Sequence, residues 1–91
     1  LQTEKRVLIE LENAKTNYQF AINNFNNAQK NLILAKRIEK KNGIKFIEGI
    51  ASSFELRQAQ MQLYSIQNEL LQSMLEVINK KTNLEIILNE N

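Results

Sequence analysis

A chain of 91 residues with no proline, only two glycines, no cysteine and no histidine is one structural unit at most and has room for very few turns. The missing residue types remove disulfides, thiolate and imidazole metal sites, and His-based hydrolytic triads. A formal net charge of +2, with both signs mixed along the chain, leaves no electrostatic footprint for nucleic acid.

No run of about 18 apolar residues exists, so no helical segment here is built to span a bilayer. The start, Leu1 to Arg6, reads as neither a signal peptide nor a natural beginning, and the expectation is a segment of a longer chain. It falls inside a helical pattern, as the end of an excised fragment would. Asn and Gln together exceed a fifth of the residues. Such a surface suits a solvated helix or the wall of a wet, weakly charged channel.

In the first arm, Val7, Leu11, Ala14, Tyr18, Ala21, Phe25, Ala28, Leu32 and Ala35 recur at spacings of four and three. That is the heptad rule for helices in a left-handed supercoil. Large residues alternate with alanine, and alanine lets a neighbouring helix come close. A second set, Leu8, Phe20, Ile22, Ile33, Leu34 and Ile38, widens the apolar surface beyond one seam. A helix apolar on more than one stripe expects more than one neighbour. The frame lapses at Glu39 and resumes at Phe46. Asn42-Gly43 is a rival turn signal, but a glycine inside a helix costs only about 1 kcal/mol relative to alanine. The pattern therefore predicts one helix over about 1–47, with a bend allowed at Gly43.

The better turn lies at about 48–52. Gly49 supplies a permissive backbone at a helix end. Ser52-x-x-Glu55 is a capping box for the next helix, with Ala51 and Leu56 placed as its staple. From about 53 to 88 a second ladder follows: Leu56, Ala59, Leu63, Ile66, Leu70, Ser73, Val77, Lys80, Leu84 and Ile87. Beside it runs a polar stripe of Glu55, Gln58, Gln62, Ser65, Glu69, Gln72 and Glu76. In an arbitrary coiled coil that stripe reads first as a solvated outer face; the functional alternative is a face turned to a water-filled conduit, and spacing alone does not choose between them.

The expected fold is all-α: a long antiparallel coiled-coil hairpin spanning 1–91, with facing residues whose numbers add to about 101. At 1.5 Å per residue the arms would run about 70 and about 50 Å. A lone hairpin of this kind buries little apolar surface and is expected to need neighbours or self-association. No carboxylates or lysines form a pocket-lining constellation, so neither an enzyme nor a cofactor is expected.

The run from Ala35 to Gln60 resembles the TolC family of outer membrane efflux proteins. The resemblance rests on Phe46 three residues before Gly49, then Ile50-Ala51, Ser52, Glu55-Leu56 and Ala59-Gln60. The alanine-spaced coiled coil is similar to that family too. So is the ending Lys81 to Leu88, which resembles the close of the family's second repeat, with Asn89 in place of its usual glycine.

The resemblance implies a homotrimer with a β-barrel in the outer membrane and an α-helical barrel in the periplasm of a Gram-negative bacterium. This chain would be one periplasmic hairpin of that barrel, not itself membrane-spanning. It implies that Gly49, Ile50, Ala51 and Ser52 form a tip that docks a periplasmic adaptor protein of an inner-membrane pump. Glu55 matches an acidic ring narrowing the pore. Gln58 falls where some members carry a second acid, and Phe46 where a tyrosine can hold the closed aperture. The competing expectation is a coiled-coil scaffold module that binds a partner helix.

Overall fold

The structure, a computed structural model, describes residues 2–89. Two helices account for it: α1, Gln2–Ile47, and α2, Ser53–Asn89, joined by a short turn. There is no strand among the described residues. This is the expected all-α hairpin, with both helix boundaries at or next to the expected residues. Glu4 in the first turn of α1 and Lys45 in its last turn complement the helix dipole. Gly43 is helical, so the rival turn at Asn42-Gly43 is not used. The Asn42 side-chain Nδ2 instead donates to the Ile38 carbonyl at 3.1 Å, one turn back along the same helix.

The contacts divide the chain into two compact units, one of Asn26–Leu71 and one of Leu1–Phe25 with Gln72–Asn91. In the first, Ala28, Ala35, Ala51 and Ala59 are buried. Leu32, Leu56, Leu63, Ile66 and Leu70 are half-buried beside them. These are the ladder positions, together with Ala51 of the turn. A groove lined by Ile38, Asn42, Glu55, Gln58, Ala59 and Gln62 shows the antiparallel register, since Asn42 and Ala59 share it.

In the second unit, Ala14 and Ala21 are buried while Val7, Leu11, Tyr18 and Phe25 are half-buried. Across the seam, Ser73, Val77, Lys80, Leu84 and Ile87 are half-buried as well. Here a groove brings Ala14 and Asn17 to Asn83 and Ile87, again in the register set by folding at Gly49. Lys80 is the one charge on this ladder, and its side chain is 33% exposed. Its stem lies in the seam while the ammonium group reaches the Glu76 carboxylate at 4.0 Å, one helical turn away.

The alanine rows decide the spacing. Among the described residues every buried side chain is an alanine, and no large side chain is fully buried. Small residues on the seam bring the backbones together, and the larger ladder residues fill only the flanks. Ile22 of the second apolar set is half-buried, whereas Leu8, Phe20, Ile33, Leu34 and Ile38 stand exposed.

Candidate functional site: the hairpin tip

The tip is built from two interlocking caps. Gly49 has φ 77° and is the one residue with a positive φ among those described. Its amide donates to the Phe46 carbonyl at 3.0 Å, and the Ile50 amide donates to the Lys45 carbonyl at 2.8 Å. This pair of bonds is the Schellman arrangement that closes a helix on a left-handed glycine. The Ala51 amide reaches the same Lys45 carbonyl at 3.2 Å. The turn is thus folded over Lys45, and carbonyls left over at the end of α1 find donors.

Ser52 opens α2. The Glu55 amide donates to the Ser52 hydroxyl oxygen at 3.2 Å, and the Leu56 amide to the Ser52 carbonyl at 3.2 Å. These bonds place Ser52 at the N-cap and Glu55 at N3, the register that the capping-box spacing requires. Glu55 also puts a negative charge in the first turn, where the helix dipole favours it. Ala51, 8% exposed, turns inward toward the seam, and Leu56 is half-buried.

Of the four residues expected to dock a partner, Gly49, Ile50 and Ser52 are exposed and Ala51 is not. The Ala51 side chain belongs to the inside of the turn, because the backbone folds back over Lys45 just before it. Ile50 is 72% exposed. Near it in sequence are other exposed apolar side chains that the heptad reading did not single out: Ile47 at 85% exposed, Phe54 at 66% and Ile44 at 49%. Their signal was available, since none of the three falls on a seam position.

Phe46 differs from its expected place on the resuming ladder, being 42% exposed. The inward positions in the last turns of α1 are instead Asn42, Gly43 and Lys45. The ladder stops because α1 ends within the next two residues and the loop that follows returns its Ile50 and Ala51 amides to the Lys45 carbonyl.

Glu55 and Gln58 share one groove with Gln62, so the tip end of the polar stripe forms a single wet edge. The stripe residues Glu55, Gln58, Gln62, Ser65 and Glu69 are all exposed in this unit. No group of His, Cys, Asp or Glu among the described residues is arranged to hold a metal ion, and none of those residues is a buried polar or charged side chain. No described helix is long and apolar enough to cross a membrane. Comparisons with protein-family models, with curated proteins and with solved structures match nothing to this chain.

Proposed function

We propose that this hairpin is part of the periplasmic wall of an outer membrane export channel of the TolC type, with its tip at the aperture. The observation that carries the reading is the tip itself. A left-handed glycine and a serine cap hold a tight turn that exposes Ile47, Ile50 and Phe54 to solvent. Ordinary turns between long helices are polar. A turn held by these bonds that displays large apolar residues suits contact with another surface. On this reading the other surface is the tip of a periplasmic adaptor belonging to an inner-membrane pump.

Two further features support the conduit. Exposed apolar residues beside the seam suit a helix pair that lies between other helices, as in a barrel of three such subunits. The stripe of Glu55, Gln58 and Gln62 offers such a barrel a hydrated inner face. The work done is passage, with no bond made or broken.

The test uses the full-length protein that carries this hairpin. Gly49→Asp forces a side chain into a left-handed backbone and sets a charge among the exposed isoleucines. Export is expected to be lost while the protein still assembles in the outer membrane. Gly43→Ala, inside α1, is the control and leaves export intact. Export that survives Gly49→Asp contradicts docking through the tip.

A further inference from the structure

Asn42-Gly43 is not a turn, but its chemistry remains. It is the one place in the chain where glycine follows asparagine. Neither the backbone nor the packing requires that glycine. Gly43 is helical, its φ is not positive, and a methyl group there would meet only the Leu56 Cδ1 atom at 3.9 Å. A glycine inside a helix weakens it relative to alanine. The seam is also thin here. No side chain over 36–47 is buried, and the inward positions past Ala35 are Glu39, Asn42, Gly43 and Lys45, all half-buried. Few apolar contacts hold this end of α1, so it belongs to the part of the hairpin that opens most readily.

We propose that Asn42 is a modification site gated by the fold: opening of α1 lets the Gly43 backbone nitrogen displace ammonia from the Asn42 side chain, and water completes the conversion to aspartate or isoaspartate. In the first step the bond from the Gly43 nitrogen to Asn42 Cγ forms and the Cγ–Nδ2 bond breaks. The Gly43 amide proton leaves with Nδ2 as ammonia, and a cyclic imide remains. Water then opens the imide at one of its two carbonyls. One opening gives aspartate, and the other gives isoaspartate, whose backbone runs through the former side chain. Only water is consumed, and nothing is oxidised or reduced. Glycine favours the attack because it carries no side chain to shield its nitrogen. In the closed helix both reacting groups are held. Asn42 Nδ2 donates to the Ile38 carbonyl at 3.1 Å. The helical pattern commits the Gly43 amide to the Glu39 carbonyl, and the helical backbone at Asn42 carries that nitrogen away from Cγ.

The product weakens what protected the asparagine. An ionised carboxylate has no N–H to give to the Ile38 carbonyl. It also stands in the groove that Asn42 shares with Glu55, where it sets a second negative charge beside the first. Isoaspartate adds a backbone atom, which breaks the register of the helix bonds. The turn beyond hangs on the Lys45 and Phe46 carbonyls, so it loosens with the end of α1. Each converted chain therefore records an opening of α1 and opens more easily afterwards. Nothing in this chemistry depends on what the tip docks.

The experiment holds the full-length protein that carries this hairpin at mildly alkaline pH, folded or unfolded in urea, and follows each asparagine by peptide mass spectrometry. Unfolded, Asn42 is expected to convert faster than every other asparagine of the hairpin, and Gly43→Ala is expected to remove most of that conversion. Folded, Asn42 is expected to convert at least about tenfold more slowly, because the rate follows the population of the open form. Gly49→Ala strains the turn without touching Asn42 or Gly43. It is expected to raise the folded rate at least about fivefold and to leave the unfolded rate alone. Urea below the unfolding transition is expected to raise the folded rate of the parent as well, with no substitution made. Equal rates in the folded and unfolded parent overturn the gate. So does a folded rate that neither Gly49→Ala nor low urea raises. Conversion of Asn42 no faster than that of the other asparagines in the unfolded hairpin overturns the site itself.

Discussion

A methyl group added at Gly43 would meet the Leu56 Cδ1 atom at 3.9 Å, an ordinary contact, on a backbone that is already helical. A methyl group added at Gly49 meets nothing, yet the backbone there has φ 77°. The two glycines therefore respond oppositely to the same change. Gly43→Ala should stabilise the hairpin by about 0.5–1 kcal/mol, the helix preference of alanine over glycine. Gly49→Ala should destabilise it by about 1–2 kcal/mol, the cost of an L side chain in the left-handed region. Thermal unfolding followed by circular dichroism checks both, and shifts of the same sign would contradict this account of the turn. The choice between the two glycines was legible in the sequence because Ser52 and Glu55 follow one of them at capping distance, and no such pair follows the other.

At the scale of the element, each helix is organised by its alanines. Ala35 is 5% exposed on the α1 seam, while Ile33, two residues earlier, is 55% exposed. Ala35→Leu should destabilise the hairpin by about 1–3 kcal/mol, because the close approach of the helices leaves no room for a branched side chain. Ile33→Ala should change the stability of the isolated hairpin by less than about 0.5 kcal/mol. Denaturant titration of both variants tests this, and an Ala35→Leu hairpin as stable as the parent would show that the seam is loose. The ladders were legible from spacing alone, down to the half-buried positions of Ser73 and Lys80. The end of the α1 ladder was not. Phe46 continues the arithmetic of the heptad, but arithmetic takes no account of the turn bonds on the Lys45 carbonyl, which end the seam.

For the whole molecule, the balance of burial governs the functional reading. Among the described residues the buried side chains are six alanines, while nineteen large apolar residues stand exposed. A single hairpin with that balance is short of a core, and its exposed apolar surface asks for further helices. Sequence made the hairpin legible because periodicity and capping are local. It could not say which face of the polar stripe meets water inside a conduit and which meets bulk solvent, since both demand the same residues. The central claim is that Glu55, exposed beside Gln58 and Gln62 at the tip, faces the lumen of an assembled channel. Rings of acids at a constriction favour cations over anions. The most direct measurement is the ion selectivity of the full-length protein in planar bilayers, with and without Glu55→Gln. The account predicts that the substitution lowers the preference for cations and changes conductance. A variant whose conductance and selectivity match the parent would contradict it.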